Sequence, residues 1–287
     1  QQKPFQMENL VISLESAIQK KNILLENKRL QQELIEKNRY LQGLHDSAQA
    51  ILMKYAPLNL PKFSCCDAAY IYKSCDRVGG DMLDVFESGD YLFFYVFDVC
   101  SHGILAAVNT IIIKAHFCKL KNYHSGMDIQ SSLKNDFQDL NLEMCKNTPS
   151  GVFATVFAGC IEKKTNRLYY ISAGHIDQYL IHDNTLYPLS STGTIMGSFE
   201  NAYYDVHQHQ LSDGDKLLLF TDGFPDTWER KSSCGNQSFA ALLESIKAEP
   251  VDKMIEHINC EVLKASDEAP DDDLTILALA VKPHETL

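Results

Sequence analysis

The sequence predicts an α+β domain of about 230 residues, preceded by one long helix. Three observations indicate this fold class. Residues 6–56 contain no proline and only one glycine, Gly43, which favours a single uninterrupted helix. Beyond Pro57 and Pro61 the hydrophobic period changes, and short segments rich in aromatic and β-branched residues predict strands. Helical patterns lie in separate blocks among them, so a layered arrangement of mostly antiparallel strands is expected.

The elements of the predicted domain follow in chain order. Strands are predicted at 68–73, 91–99, 153–162, 167–173, 178–182, 215–221 and 274–281. Helices are predicted at 103–121, 127–146, 237–248 and 251–265. Several strands are apolar on both faces, so we expect helices or a second sheet to cover them. The predicted organisation is a helical segment, residues 1–56, followed by one domain, residues 57–287.

The composition excludes several classes of protein. The 287 residues are 45% hydrophobic and carry a formal charge of −12, which is ordinary for a globular protein and excludes wholesale disorder. Residues 1–56 hold 8 Lys and Arg against 6 Asp and Glu, so the domain that follows carries a net charge of −14. Such a domain lacks the clustered basic residues that nucleic-acid binding needs. Its carboxylates either form a solvated surface or converge on a hard cation.

The cysteines and the hydropathy pattern predict a cytoplasmic protein. The nine cysteines are odd in number, form no C-x-x-C pair and in several cases lie within apolar runs. Buried thiols in a reducing compartment explain this better than disulfides or a zinc site. No window reaches 18 uncharged apolar residues and no signal peptide is present, so we expect no membrane segment. Because the chain begins at Gln1, a fragment of a longer protein is expected.

The N-terminal helix carries the pattern of a coiled coil. From Ile23 the inner positions are spaced alternately four and three residues apart, which defines a seam. The seam comprises Ile23, Asn27, Leu30, Leu34, Lys37, Leu41, Leu44, Ala48, Ile51 and Tyr55. Its two polar members can fix the register or the number of helices. A second copy of the same helix is the simplest partner, which predicts a homodimer; a helix folded back on its own domain is the alternative.

The first residues suggest what precedes the helix in the longer protein. Lys3-Pro4-Phe5, followed by an amphipathic helix, resembles the end of a response-regulator receiver domain. We therefore expect an upstream receiver domain and a sensor kinase that phosphorylates it. The coiled coil would then transmit the state of the receiver to the domain that follows.

Four aspartates occupy the same kind of position, at a strand end or a tight turn. The first follows a Gly-Gly pair, the second and third end predicted strands, and the fourth directly precedes the last strand. Carboxylates gathered in this way repel one another unless a cation neutralises them. Position and residue type alone therefore predict a divalent-cation site formed by Asp81, Asp98, Asp222 and Asp272.

An ordered set of motifs makes a family resemblance specific. The segments are VGGDMLD, DVCSHGILAA, SAGH, TDGFPD and DDDLTIL, in that order. Together they resemble the metal-dependent Ser/Thr protein phosphatases (PPM, or type 2C), in the bacterial branch typified by the sporulation phosphatase and the stress-response sigma-regulatory phosphatases. The resemblance covers about residues 64–282. It implies an α-β-β-α sandwich with two Mn²⁺ or Mg²⁺ ions at one edge.

The resemblance also implies a role for each aspartate. Asp81 would bridge both metal ions, Asp98 and the carbonyl of Val99 would bind the first, and Asp222 and Asp272 would bind the second. The implied reaction is hydrolysis of a phosphoserine or phosphothreonine by a metal-activated water. The implied substrate is a phosphorylated regulator of the anti-sigma-antagonist kind. The alternative is a catalytically inactive adaptor that keeps the fold and binds a sigma factor or another regulatory protein.

Five further residues near the motifs are given weaker roles. Asp84 and Asp273 are expected either to support the metal ligands or to be structural. His102 is a candidate general acid, although a plain loop histidine is the favoured interpretation. Arg77 could contact the phosphate, although a surface ion pair is the favoured interpretation. His175, in SAGH, is expected to order a turn rather than to bind metal.

Overall fold

A computed structural model describes residues 7–55, 60–75, 79–100, 104–122, 128–149, 151–190, 192–232, 238–263 and 272–283. The chain divides into two compact units, Gln1–Ser47 and Ala48–Leu287. Helix α1 (Met7–Tyr55) is continuous, as the absence of proline predicts. Residues 11–44 of this helix are exposed along their whole length. In the described part of the chain, no helix combines the length and the apolar character that crossing a bilayer requires.

The second unit contains two five-stranded sheets. In chain order the strands are β1 (Cys66–Lys73), β2 (Met82–Ser88), β3 (Tyr91–Val99), β4 (Ala154–Glu162), β5 (Arg167–Ala173), β6 (Gln178–His182), β7 (Thr185–Leu189), β8 (His207–Gln210), β9 (Lys216–Phe220) and β10 (Leu274–Val281). The first sheet has the order β1-β10-β9-β6-β7 and the second has the order β2-β3-β4-β5-β8. All of these strand pairs are antiparallel.

Helices cover the outer faces of both sheets. They are α2 (Ile104–Phe117), a 3-10 helix (Cys118–Asn122), α3 (Ile129–Asn147), α4 (Gly223–Ser232), α5 (Phe239–Ile246) and α6 (Val251–Leu263). One apolar cluster joins α2 and α3 to the second sheet, and another joins α4, α5 and α6 to the first. A third cluster fills the space between the sheets. These clusters define an α-β-β-α sandwich, which confirms the predicted fold class.

Most predicted elements are found with nearly the predicted bounds. Strands β3, β5, β6 and β10 match to the residue, because their apolar runs end sharply at polar or turn residues. Helix α3 begins at Ile129, two residues later than predicted, because the Asp128 side chain accepts a hydrogen bond from Ser131 N and caps the first turn. Its buried side chains recur every three or four residues and include Leu133, Phe137 and Leu140.

The sequence prediction missed three strands and one helix. Strand β2 contains Asp84 and Glu87, which break the apolar pattern although the strand is buried. Strand β8 reads HQHQ and has no apolar signal, and β7 contains Pro188, which lowers the strand signal. Helix α4 begins with Gly-Phe-Pro, which reads as a turn although proline is tolerated in a first helical turn.

The described cysteines agree with the prediction of free thiols. Eight of them lie in the described part of the chain, and all eight are free. Cys65, Cys66 and Cys160 are buried in apolar surroundings. These cysteines therefore act as small apolar side chains of the core.

Candidate metal centre

Asp98 lies near the carboxyl end of β3, which lies between β2 and β4 in the second sheet. In the ladder between β3 and β4 it pairs with Thr155, and Val99 pairs with Ala154. The pairing continues one step further, because Cys100 N donates to the carbonyl of Phe153 at 2.9 Å. This ladder fixes the backbone on both sides of Asp98.

Asp81 immediately precedes β2 and is only 2% exposed. Its Oδ2 accepts a hydrogen bond from Thr221 Oγ1 at 2.6 Å, and its carbonyl accepts one from the Tyr72 hydroxyl at 3.3 Å. Thr221 follows β9 in the first sheet, whereas β2 belongs to the second. The carboxylate of Asp81 is therefore held between the two sheets.

Asp222 and Asp272 lie at one edge of the first sheet. Asp222 follows β9 after Thr221, and Asp272 is separated from β10 by Asp273 alone. Strands β9 and β10 are antiparallel neighbours, with Phe220 opposite Ile276, so the end of one meets the start of the other. Two predicted ligands from distant parts of the sequence thus come to the same sheet edge.

Asp273 organises the backbone that leads to Asp81. One of its carboxylate oxygens accepts from Ser74 Oγ and Cys75 N, both at 2.9 Å. The other accepts from Gly80 N at 2.7 Å and from Asp81 N at 3.3 Å. A Cβ at Gly79 would lie 2.1 Å from that oxygen, so only glycine fits at this position. Asp273 therefore supports the loop that presents Asp81, one of the two roles expected for it.

The carboxyl groups raise one another's pKa. For Asp81, burial together with the charges of Asp98 and Asp273 raises the pKa well above its ordinary value. For Asp98, burial and the charges of Asp222 and Asp272 raise the pKa to about 7. Burial, followed by the charge of a neighbouring aspartate, also raises the pKa of Asp222 and of Asp272. The predicted ligands thus lie within electrostatic range of one another.

The chemistry of this group of oxygens fits hard divalent cations. Mutual repulsion among partly buried carboxylates is relieved by a positive charge placed between them. Mg²⁺ and Mn²⁺ prefer carboxylate, carbonyl and water oxygens as ligands. Within the described ranges, however, no three His, Cys, Asp or Glu side chains lie close enough to form a ready-made coordination group. The residue types therefore suit a divalent metal ion. Their carboxylates lie near enough to affect one another's pKa, but not close enough to form a complete set of metal ligands.

Not all of the predicted site residues fall in the described chain. Arg77 and His102 lie outside the described residues, as do Lys3-Pro4-Phe5 of the receiver-like segment. Asp84 is buried and forms an ion pair with Lys114 Nζ at 3.1 Å, so it is structural, the second of the roles expected for it. The sequence reasoning missed Thr221, whose only signal is its place directly before Asp222.

Solved structures of similar fold identify the fold of this chain. The PP2C domain of SiaA from Pseudomonas aeruginosa has a TM-score of 0.66 and 19% identity, over 85% of this chain and 98% of that domain. The catalytic domain of the serine/threonine protein phosphatase PstP, solved with two manganese ions, has a TM-score of 0.59 and 16% identity, over 76% of this chain and 99% of that chain. The fold is that of the PP2C-type phosphatases.

The particular family follows from the sequence comparison. The chain belongs to the Stage II sporulation protein E (SpoIIE) family, whose model matches residues 88–282. The RsbU and RsbW domains of Rv1364c from Mycobacterium tuberculosis are 25% identical, with a TM-score of 0.64, over 79% of this chain and 63% of that chain. The resemblance to the sporulation and stress-regulatory branch is thereby confirmed.

Two curated relatives support the same placement. Phosphoserine phosphatase RsbU of Bacillus subtilis (strain 168) is 25% identical over 225 residues, which cover 78% of this chain and 65% of that protein. Protein IcfG of Synechocystis sp. (strain ATCC 27184 / PCC 6803 / Kazusa) is 24% identical over 271 residues, covering 82% of this chain and 41% of that protein. The chain thus spans less than two thirds of the length of each of these relatives.

Proposed function

We propose that this chain is a metal-dependent Ser/Thr protein phosphatase and the effector part of a two-component response regulator. The observation that carries the proposal is the group of carboxylates at one edge of a PP2C-type fold, which raise one another's pKa. Asp81 would bridge two Mn²⁺ or Mg²⁺ ions. Asp98 and the carbonyl of Val99 would bind the first, and Asp222 and Asp272 the second.

The residues around these ligands have clear tasks in such a site. Two bound divalent ions supply a water of lowered pKa and neutralise charge on the phosphoryl oxygens. Asp273 holds the Gly80 and Asp81 amides so that the Asp81 carboxylate stays at the site. Thr221 donates to the oxygen of Asp81 and lies next to Asp222, so it links the two ligands. Thr110 of α2 donates to the carbonyl of Gly80 at 3.0 Å and secures the same loop.

Turnover of p-nitrophenyl phosphate with Mn²⁺ tests the catalytic proposal. We expect Asp222→Asn to lower turnover at least about 100-fold, because it removes an anionic metal ligand. The control is Asp183→Asn, which changes the same functional group at a side chain that is 90% exposed. Asp183 has a φ of 46°, a conformation that asparagine tolerates. If the folded wild type shows no turnover with either Mn²⁺ or Mg²⁺, the adaptor function is favoured instead.

The proposed substrate is a phosphorylated serine or threonine on a regulator of the anti-sigma-antagonist kind. Support comes from the resemblance of the motifs and from relatives named as a phosphoserine phosphatase and as joined RsbU and RsbW domains. A panel of purified phosphorylated regulators from the same genome tests it. Release of phosphate from an anti-sigma-antagonist protein is the expected result, and release only from unrelated phosphoproteins would contradict it.

The same proposal includes a coiled-coil homodimer formed by residues 1–56, ahead of the phosphatase domain of residues 57–287. Its support is the apolar seam of α1, where Leu34 is 60% exposed and Leu41 is 49% exposed. In light scattering of the full chain, Leu34→Glu should convert dimer to monomer. Ile35→Glu is the control, because Ile35 is equally exposed at 58% but lies off the seam. A monomeric wild type would remove the basis for the dimer.

The upstream receiver domain, its sensor kinase and a cytoplasmic location complete the proposal. The first two rest on the receiver-like start of the chain, and the third on the free thiols of the described cysteines. Phosphorylation of the receiver in the longer protein should change the turnover of p-nitrophenyl phosphate. An unchanged rate would contradict regulation through the helix.

A further inference from the structure

His175 lies where the chain crosses from one sheet to the other. It belongs to the short segment between β5 of the second sheet and β6 of the first, and it is 4% exposed. The preceding Gly174 has a φ of 63°, and a Cβ there would lie 2.4 Å from Ile195 Cγ2. Glycine is therefore required for the turn that directs the imidazole into the protein.

Both ring nitrogens of His175 are used within the protein. Nδ1 lies 2.8 Å from Thr155 Oγ1, and Nε2 lies 3.1 Å from the carbonyl oxygen of Phe220. A carbonyl oxygen can only accept, so Nε2 carries the proton and donates it, and Nδ1 of the neutral ring accepts from the Thr155 hydroxyl. Burial lowers the pKa of His175 to about 4, which keeps the ring in this neutral form. No lone pair remains for a metal ion.

The hydrogen bonds of His175 thus form a bridge between Thr155 and Phe220. At its Thr155 end, this bridge lies beside one proposed metal ligand, Asp98. Thr155 is the partner of Asp98 in the ladder between β3 and β4. Residues directly opposite each other in an antiparallel pair place their side chains on the same face of the sheet. The Thr155 hydroxyl held by His175 is thus a direct neighbour of the Asp98 side chain.

The hydrogen bond from His175 to the Phe220 carbonyl helps to position a second proposed metal ligand, Asp222. Phe220 is two residues before Asp222 and one before Thr221, which donates to Asp81. The Phe220 carbonyl also accepts from Gln178 Nε2 at 3.0 Å, and its N–H donates to Gln178 Oε1 at 2.5 Å. The last residue of β9 is therefore fixed in the first sheet, and the bond from His175 fixes it against the second.

We propose that His175 is a positioning residue, which sets the spacing between the Asp98 and Asp222 carboxylates and so the affinity for divalent cations. The two bonds of the imidazole form a cross-sheet bridge from Thr155 to Phe220. The inference rests on the proposed function, because it assigns these carboxylates to the metal ions. It requires no contact between His175 and metal or substrate.

Isothermal titration of the full chain with Mn²⁺ measures the predicted effect. His175→Phe keeps a planar ring but removes both hydrogen bonds, and should raise the Mn²⁺ dissociation constant at least about tenfold. Thr155→Val removes one end of the bridge with little change of shape and should raise it in the same direction. The double variant should be no weaker than His175→Phe alone, because both changes break one bridge. His175→Gln, whose amide can still donate to the Phe220 carbonyl, should recover part of the affinity.

His182 provides the matched control at the opposite end of β9. Its Nδ1 bonds to Asp215 Oδ1 at 2.9 Å, directly before the strand begins. His182→Phe should lower the melting temperature yet leave the Mn²⁺ dissociation constant within about twofold of the wild type. If His175→Phe and Thr155→Val also lower only the melting temperature, the bridge is merely structural and the inference is wrong. A wild type that binds no Mn²⁺ would instead overturn the proposed dimetal function.

Discussion

Asp81 and Asp84 are three residues apart and both buried, yet the fold surrounds them in opposite ways. Asp84 accepts from Lys114 Nζ at 3.1 Å, from Tyr95 at 3.3 Å and from Val85 N at 2.9 Å, so the protein supplies its counter-charge. Asp81 instead lies near Asp98 and Asp273, whose charges raise its pKa further above the value that burial gives. A buried carboxylate given a lysine is a structural element, whereas carboxylates placed against one another are relieved by taking up either a proton or a metal cation from solution.

Asp84 and Asp81 also connect different parts of the fold. Asp84 joins β2 to α2 through Lys114, within the layer formed by the second sheet and its helices. Asp81 is joined through Thr221 to the first sheet, so its position depends on how the two sheets meet. Asp84, which pairs with Lys114, should therefore govern stability, and Asp81, which lies among other carboxylates, should govern metal binding.

The largest expected effect on stability comes from Lys114→Met. This change leaves the buried Asp84 carboxylate with only the half-exposed Lys121, whose Nζ lies 3.6 Å away, and should lower the free energy of unfolding by about 2 kcal/mol. Lys164→Met is the control, because Lys164 pairs with Asp90 at 3.3 Å while 77% exposed and should cost less than about 1 kcal/mol. Urea denaturation in EDTA measures both. Equal losses in the two variants would show that Asp84 does not depend on Lys114.

Removing a charge from the proposed metal ligands should raise stability, whereas removing the Lys114 charge lowers it. In metal-free protein the pKa of Asp98 is raised to about 7, from 3.8 for the free side chain. Between these two values the folded state binds a proton that the unfolded chain has lost, so stability falls as pH rises from about 4 through 7 and then levels off. Asp98→Asn lacks this ionisation, so its advantage over the wild type should grow by roughly 2 kcal/mol between pH 5 and pH 8.

The wild type must be compared with Asp98→Asn because His175 changes stability with pH in the opposite direction from Asp98. His175 has its pKa lowered to about 4, so it contributes stability above pH 6.5 that is lost as the pH falls toward 4. Both proteins contain His175, so its titration cancels from the difference, which reports Asp98 together with the relief of Asp81, whose pKa the Asp98 charge raises. Denaturation in EDTA across this range measures it, with the exposed Asp183→Asn as a variant that should show no trend. A flat difference for Asp98→Asn would mean that the carboxylates do not repel as described.

The sequence also predicts the two kinds of carboxylate unequally well: it indicates the proposed metal ligands but not the role of Asp84. The four aspartates of the proposed metal centre stand out in the sequence because each lies at or near a strand end, where a residue type and a boundary coincide. Strand β2 was missed because Asp84 and its lysine are 30 residues apart, and an isolated Asp in an apolar run reads as an interruption. The bridge through His175 could not be predicted, since one of its ends is a backbone carbonyl.

The smallest expected effect, from Tyr95→Phe, sharpens the comparison most finely. Tyr95 stacks on Phe117 at 4.6 Å between ring centroids, and this packing survives the change. Burial, followed by the Asp84 charge, raises the pKa of Tyr95, so its hydroxyl is a donor at any working pH. Loss of that donor should cost about 1 kcal/mol while Lys114 remains.

The same change should cost more in the Lys114→Met background. The tyrosine hydroxyl is then a principal donor left to the Asp84 carboxylate, so the two substitutions should couple by about 1 kcal/mol in a double-mutant cycle followed by urea denaturation. Strict additivity would mean that lysine and tyrosine act on Asp84 independently. Coupling would show that the fold neutralises this carboxylate as a unit, which is what the carboxylates of the proposed metal centre lack without a cation.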